Sequence, residues 1–453
     1  MSGSLPTRRV IQIELNEISY ATIQKLCKSG ELPHFERISK QWSHIHTTSE
    51  TQYEQIEPWI QWITAHTGKS FAEHQVFHLA DSDKLEHPQI WELLSDVGVE
   101  SAIVGSMNAF RGSRTKGGLF FPDPWAKDGK AYPEALQPLW DVISAKVQGH
   151  AVSDISPSEI LKVFAATFRY GISPDLYAKI AFQILGQKLE PLKKWRLAGL
   201  FDEFLADIFL SLLGDRRYRF CTLFLNSVAH YQHHYWRNFE PEQFSASVRS
   251  PDCRSFDDPV RYGYKLYDAI LGKILARLDL TQDLVMIVSG LSQVPYTHSE
   301  SQGGMNYYRL LDHQQFLNAT GLAGFRAFPM MSRDWQVAYA NEEEKQKLYQ
   351  TLGEMTVGGE KLFKLSSDRE HYVFLETAVT KGIPTDQQIS LQGVALGEFH
   401  CYFKNIAIKS GHHTGLGSLW VSKPEIVQAE STLPLTEVFH LGLSTLGARV
   451  VRS

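Results

Sequence analysis

The chain has 453 residues, of which 21% are charged and 43% hydrophobic, and a formal net charge of −5. That length buries a large core and allows two or three domains, while the composition excludes a disordered chain and gives no basic footprint for a nucleic-acid groove. Cys27, Cys221, Cys253 and Cys401 form no Cys-x-x-Cys pair, which argues against a disulfide framework or a cysteine-rich zinc site and suits a reducing compartment. No apolar leader precedes the first apolar run, and no window reaches the about 18 apolar residues of a transmembrane helix, so a cytoplasmic protein is expected.

Arg9 to Leu15 reads as a central parallel strand, with Glu14, Asn16 and Glu17 at its carboxyl end. A helical period follows from Tyr20 to Cys27, and Ile45 to Thr48 reads as a second strand. Pro58 suits the first turn of a helix running to about His66, with Glu57 at its N-terminus. If the segment before it is also helical, Glu50, Glu54 and Glu57 share one face. A helix over 88–97 and a strand over 101–105 continue the βα alternation, and Asn108 lies in the loop that follows.

From about Ser158 to Leu213 the pattern is helical throughout, interrupted by Asp202, Glu203 and Asp207, so it is a helical insertion rather than a membrane span. Alternation resumes with a strand from Tyr218 to Leu225, which opens into Asn226 and then His230, Gln232, His233 and His234. A helix over 259–278 and the strand Asp283 to Gly290 follow. A short helix is expected around Tyr308 to Leu317, then a mixed region with a helix at 341–352. Gly411 to Gly415, which holds His412 and His413, reads as a Gly-flanked loop, Ser418 to Val421 as the last core strand and 437–446 as a closing helix. The expected organisation is an α/β core half over 1–150, a helical insertion over 151–215 acting as lid or partner surface, and a second core half over 216–453. The last contains an α+β subregion at about 330–403.

The order of these parts resembles the alkaline phosphatase superfamily, and within it the type I phosphodiesterase/nucleotide pyrophosphatase branch. The resemblance rests on the acidic first strand tip, Leu32-Pro33-His34-Phe35, Pro58-Trp59, Ile90-Trp91-Glu92-Leu93-Leu94, Gln232-His233 with Trp236, Val288-Ser289-Gly290 and the late Gly411-His412-His413. It implies an alkaline-phosphatase-like, mostly parallel central sheet flanked by helices. That family cleaves phosphate esters with two zinc ions and a Thr or Ser nucleophile. By the resemblance, its first-strand aspartate falls on Asn16 and its nucleophile on Gln55, which cannot attack phosphorus. The aspartate ahead of the Gln-His pair falls on Ala229, and a further Asp-His pair falls on Gly290 and Leu291. His233 and His413 are kept. An amide is a poor zinc ligand and Gly and Leu are none, so one metal site is lost and at most one divalent ion, zinc by ligand type, is expected at His233 and His413. A third ligand would come from His230, His234 or a nearby Glu.

Glu14, Glu17, Glu57, His230 and His233 are the acid/base candidates, because crowded carboxylates raise one another's pKa. Asn16, Gln55, Trp59, Asn108, Asn226, Arg309 and His412 are the expected substrate contacts, and Trp59, Trp62, Trp125 and Trp236 suit a stacking wall. The substrate class is a small phosphorylated or nucleotide-activated molecule, with a glycan as one candidate, acted on by hydrolysis or group transfer without the two-zinc nucleophile. Three other readings stay open: a scaffold or binding subunit that has lost the site, a nucleotide-sugar-dependent glycosyltransferase, and an orthodox phosphodiesterase whose nucleophile is Thr47, Thr48, Ser49 or Thr51.

Overall fold

The computed structural model describes residues 9–79, 81–126, 129–147, 165, 167–245, 248, 250–251, 253–330, 333–369, 371–427 and 432–448. The chain divides into two compact units: Met1–His233, Asp258–Val294 and Gly411–Ser453 form the first, His234–Asp257 and Pro295–Ser410 the second.

The first unit is mixed α/β, built on an eight-stranded, mostly parallel sheet. Its strands are β1 (Arg9–Leu15), β2 (Ser43–Thr48), β3 (Glu100–Val104), β4 (Leu119–Phe121), β5 (Tyr218–Leu225) and β6 (Asp283–Ser289). A two-stranded ribbon, β7 (Ser292–Pro295) and β8 (Gly411–Thr414), comes next, and β9 (Leu416–Val421) and β10 (Thr432–Pro434) complete the sheet. The sheet order is β10-β2-β9-β6-β1-β5-β3-β4, and only β9 runs antiparallel to its neighbours. β1 lies between β5 and β6 with Glu14 level with Phe224 and Val288, so the carboxyl ends of all three open at one edge. Ligands of open α/β sheets bind beyond such ends.

The apolar runs form these strands because both faces are covered: Val10, Ile11, Ile13 and Leu15, and Leu284 to Val288, are fully buried. The flanking helices include α1 (Tyr20–Lys28), α2 (Pro33–Gln41), α3 (Pro58–Thr67), α4 (Ile90–Asp96), α5 (Pro174–Leu189), α6 (Arg196–Leu212), α7 (Ser227–Phe239, assigned to the second unit from His234 on), α8 (Pro259–Leu275) and α9 (Thr436–Thr445). α5 and α6 are the described part of the expected insertion; residues 148–164 and 166 lie outside the described residues. Among the described residues no helix is long and apolar enough to cross a membrane.

Two of the elements expected in this unit are corrected. Residues 50–57 are not one helix: only Tyr53–Gln55 forms a 3-10 turn, and Pro58 starts α3 afresh, so Glu50, Glu54 and Glu57 share no helix face. Glu50 instead accepts a hydrogen bond from the Phe71 amide (2.9 Å). Gly411–Thr414 is strand β8 rather than loop, because its backbone finds a partner in β7 that no apolar pattern announces. A Cβ at Gly411 would fall 2.2 Å from Gln293 Oε1 and 2.7 Å from the Gln232 carbonyl, so only glycine fits there.

The second unit holds two four-stranded sheets, one of Phe363–Arg369, Tyr372–Thr377, Asp334–Ala338 and Ala327–Pro329, the other of Glu360–Lys361, Met355–Val357, Gln388–Leu391 and Val394–Glu398. Its core gathers Phe316, Trp335, Leu348, Phe363 and Phe403. The helix expected around Tyr308–Leu317 is a strand, Asn306–Leu310, followed by a helix, His313–Ala319, since Tyr307 and Tyr308 suit a pleated surface better than a helical one.

The amino end of β1 is closed by a buried ion pair. Arg9 Nη2 lies 2.9 Å from Asp283 Oδ2 and Nη1 donates to the Leu213 carbonyl (2.8 Å), and both side chains are almost wholly excluded from solvent. Asp283→Ala strands this cation, so urea denaturation should show a loss of about 3–5 kcal/mol. His74, which packs the residues after α3, is held neutral. The Val76 amide can only donate, so His74 Nδ1 accepts (3.1 Å) and Nε2 faces Thr64 Oγ1 (3.2 Å). Burial, helped by nearby His87, lowers its pKa to about 4. A folded-state pKa below the unfolded value of about 6.5 gives stability that is full above that pH and lost as pH falls towards 4. His74→Asn, which keeps an acceptor for Val76 but cannot titrate, should therefore lose less stability than wild type between pH 7 and 4.5 in thermal melts.

Candidate functional site

The chain beyond β1 turns at once: Glu17 adopts a left-handed backbone (φ 58°), unusual for a residue with a Cβ. It is held there from two sides. Asn16 N donates to the Leu225 carbonyl (3.0 Å), and Gln232 Nε2 on α7 donates to the Glu17 carbonyl (2.7 Å). Gln232 is in turn fixed by the Tyr264 hydroxyl of α8 (2.7 Å), which also accepts from the Ser19 amide (2.7 Å).

This geometry sends the Glu17 carboxylate to a point where α7 and β8 deliver one imidazole each. Glu17 Oε2 lies 3.0 Å from His233 Nε2 and 3.1 Å from His413 Nε2, and the two imidazole nitrogens are 3.2 Å apart. Gln293 Nε2 also donates to Oε2, and to the Ala229 carbonyl (3.1 Å). Glu17 is buried, and burial would raise its pKa; the charges and hydrogen bonds of His413 and His233 outweigh that and hold the carboxyl well below the usual range. Glu57, the residue ahead of α3, places Oε2 3.5 Å from His413 Nδ1. A carboxylate there favours the tautomer with the proton on Nδ1, which leaves Nε2 bare and facing Glu17.

Two acceptors 3.1 Å apart need a positive partner between them, either a second proton on the imidazole or a metal ion. The donor set fits a metal. Three nitrogen and oxygen ligands of one zinc ion, each at about 2.0–2.2 Å, lie roughly 3.3–3.6 Å from one another, a few tenths of an ångström beyond the separations found here. One cation on Oε2 together with Gln293 matches that oxygen's two lone pairs, whereas two imidazolium donors and Gln293 exceed them. Among the described residues Glu17, His233 and His413 are the group whose ligand atoms converge in this way.

The other expected site residues fall in several places. Asn16 is at the site but saturated: its Oδ1 accepts from Trp62 Nε1 (2.8 Å), and its Nδ2 donates to Glu17 Oε1 (2.9 Å) and Asn226 Oδ1 (2.8 Å). Glu14 is not brought to the three ligands; it is fully buried, its Oε1 2.9 Å from His66 Nε2 and 2.9 Å from Gln12 Nε2. His230 is half-buried one turn before His233, and desolvation of its ring, then the neighbouring His233, lowers its pKa to about 4. Gln55 ends the 3-10 turn, and its carbonyl accepts from Gln61 Nε2 (2.9 Å). Trp59 donates to the Phe77 carbonyl (2.8 Å), and Asn108, itself left-handed, donates to the carbonyls of Trp59 (3.1 Å) and His78 (3.3 Å). His412 is half-buried on β8 beside His413. Arg309, His234 and Trp236 belong to the second unit. Trp62 is core rather than stacking wall, fully buried against Phe224. Of the hydroxyls weighed as nucleophiles, Thr47 is buried and bonded to the Ser289 carbonyl (3.1 Å), and Ser49 is bonded to that of Gly415 (3.1 Å).

Three supports have no signal in sequence: Gln293, Tyr264, and Asp202 of α6, which accepts from the amides of Asn226 (3.1 Å) and Ser227 (2.7 Å) and so holds the start of α7. Gln232 stood inside a motif already noticed for its histidine.

No known family model and no curated protein sequence matches the chain. Among solved structures it is similar to phosphonoacetate hydrolase from Sinorhizobium meliloti 1021 in complex with phosphonoacetate, at 14% identity and a TM-score of 0.45, covering 98% of this chain and 96% of that one. It is similar as well to human ectonucleotide pyrophosphatase/phosphodiesterase 5 (11%, TM-score 0.46) and to an inactive form of the murine protein in complex with AMP (10%, TM-score 0.45), with the same coverage. Identity this low leaves the chemistry to be read from this chain's own residues.

A second metal position, which the resemblance would put at Asn16, Gln55, Gly290 and Leu291, does not fit these residues. A Cβ at Gly290 would lie 3.0 Å from Gln61 Cβ and 3.1 Å from Leu435 Cδ2, leaving no room for a carboxylate. Gly290→Asp should therefore lower stability by about 1–3 kcal/mol in chemical denaturation, through overpacking, and leave the metal content of the purified protein unchanged.

Proposed function

We propose that this chain is an enzyme acting on a small phosphorylated or nucleotide-activated molecule, by hydrolysis or group transfer, with one divalent metal ion held by Glu17, His233 and His413. The observation that supports it is the convergence of one carboxylate oxygen and two imidazole nitrogens within 3.0–3.2 Å of one another. Zinc suits the ligand types. When bound, such an ion supplies Lewis acidity towards a phosphoryl oxygen or water.

The chain's own residues hold and aim the parts. Gln293 and Asn16 fix the two oxygens of Glu17, and Glu57 orients His413 through Nδ1. Glu57 is 26% exposed and so exchanges protons with solvent, which suits it to accept the proton released during the reaction. Asn226 has its Oδ1 taken by Asn16 and its backbone N–H by Asp202, and its side-chain nitrogen Nδ2, at the tip of β5, is the group we assign to a phosphoryl oxygen. No side-chain nucleophile is needed: with Gln55 where the resemblance would put one, attack by water or by an acceptor hydroxyl is the reaction class, and a nucleotide sugar or glycan acceptor falls within it. Four free cysteines fit a reducing, cytoplasmic setting.

Elemental analysis of protein purified without chelator tests the metal; about one divalent ion per chain is expected, falling towards none in His233→Ala with the fold intact by circular dichroism. Two ions per chain, or one that survives His233→Ala, would count against this site. A thermal-shift panel of nucleotides, nucleotide sugars and sugar phosphates tests the substrate class. Stabilisation by at least one of them, weakened in Asn226→Ala, is expected, and a flat panel on the metal-loaded protein would favour a binding subunit.

A further inference from the structure

Away from this site, the described part of the insertion borders a half-open cavity of about 540 Å³ between α5, α6 and α8. That lies within the roughly 300–1,000 Å³ of small-molecule sites. Phe182, Leu200 and Leu266 supply an apolar wall, and Lys193, Arg196 and Lys265 line the same space. The fourth cation, Lys179, is already engaged by Asp175 and Glu203, and among the described residues Glu203 is the sole acidic one of the lining.

The remaining cations are weakly committed. Lys193 meets Glu190 one turn away on the surface (2.9 Å), Lys265 lies 3.9 Å from Glu31, and Arg196 stacks over the Trp195 ring (5.2 Å) with no ion-pair partner among the described residues. Exposed pairs of this kind contribute about 0–1 kcal/mol and yield readily to a better anion. The apolar wall continues outward: Phe182, Leu185 and Leu189 repeat at helical spacing along α5 and are 74%, 60% and 85% exposed. Such a stripe costs solubility unless something covers it.

Shape separates the possible occupants. One turn of an α-helix about 10 Å wide and 5.4 Å long fills roughly 420 Å³, so this cavity would take little more than a single turn of a partner helix. A single apolar chain ending in an anion matches both features, its tail on Phe182 and Leu200 and its head at Arg196 and Lys193.

We infer that the α5–α6–α8 cavity binds an anionic amphiphile, an apolar chain carrying a phosphate or carboxylate head. The inference is independent of the reaction at Glu17, His233 and His413. It is tested on the full chain by titration calorimetry with n-dodecyl phosphate below its micellar concentration, against n-dodecyl maltoside and inorganic phosphate. The phosphate amphiphile should bind about tenfold or more tightly than the maltoside, as one charge-assisted contact implies, and inorganic phosphate alone should give no measurable heat. Arg196→Glu should weaken binding about tenfold, Arg196→Lys should retain most of it, and Lys194→Glu, at an exposed neighbour outside the cavity lining, should change it by less than about twofold. Equal binding of the maltoside, equal losses in Arg196→Glu and Lys194→Glu, or binding of an acidic amphipathic peptide in place of dodecyl phosphate would overturn the inference. Sedimentation with phosphatidylcholine vesicles containing about one-third phosphatidylglycerol separates the sources. Binding lost in Phe182→Ser assigns a lipid drawn from a bilayer; no sedimentation beside tight dodecyl phosphate binding assigns a free amphiphile.

Discussion

One oxygen atom organises the candidate site. Glu17 Oε2 is approached by His233, His413 and Gln293 at once, and a carboxylate oxygen has lone pairs for two such partners. The backbone accepts a strained conformation to put that oxygen in place. A left-handed residue with a Cβ costs about 1–3 kcal/mol and persists only where its surroundings over-determine it. Here the Leu225 carbonyl, Gln232 and the Tyr264–Ser19 link all act within the same turn. A structural turn has no need of such support, and Gly at position 17 would relieve the strain. That Glu is kept there, in a buried place where its charge is costly, argues that the carboxylate itself is the purpose of the turn.

The place where the resemblance would put a second metal differs in packing as much as in ligands. Where a carboxylate and an imidazole would be expected after β6, Gly290 lies against Gln61 and Leu435, and Leu291 is fully buried. At the tip of β1 the amide of Asn16 spends its hydrogen bonds on Trp62, Asn226 and Glu17. These contacts turn half of the cleft floor into core. The Asn16 amide among them also fixes Glu17 Oε1, so the packing on one side of the cleft holds the carboxylate on the other.

Much of this was legible in sequence, for identifiable reasons. The strands of the parallel sheet announced themselves because burial on both faces leaves apolar runs, unbroken in 284–288 and interrupted in 10–15 by Gln12 and Glu14. His233 and His413 stood out by residue type and motif order, and Glu17 by its place at a strand end. Position alone could not separate Glu14 from Glu17. Both are acids at one strand end three residues apart, but the chain leaves the strand after Leu15, and the left-handed turn, not the pleat, sets where Glu17 points while Glu14 pairs with His66 in the core. Glu57 was legible as an acid ahead of a helix, yet its part in orienting His413 depends on β8, which reads as a loop because its pairing is with a distant and equally short strand. Gln293 and Tyr264 carry no local pattern, since their partners lie hundreds of residues away or on another helix.

The helical insertion bears on the site through its second helix. Asp202 sits wholly buried in α6, and burial raises its pKa to about 6, against which the amides of Ser227 and Asn226 work. Buried carboxylates are costly unless hydrogen-bonded, and this one is spent on the turn from which α7 starts, seven residues before His233. The same helix carries Leu200 and Glu203 on the cavity side, and its Gly199 amide donates to Tyr231 of α7 (2.9 Å). One rigid helix thus lines the cavity at one face and anchors the start of α7 at another. An amphiphile that ordered α5 against α6 would act on the element that sets His233, and a chain lacking α6 would lose the cap on Asn226 along with the cavity. The described part of the insertion thus buttresses the histidine-bearing helix.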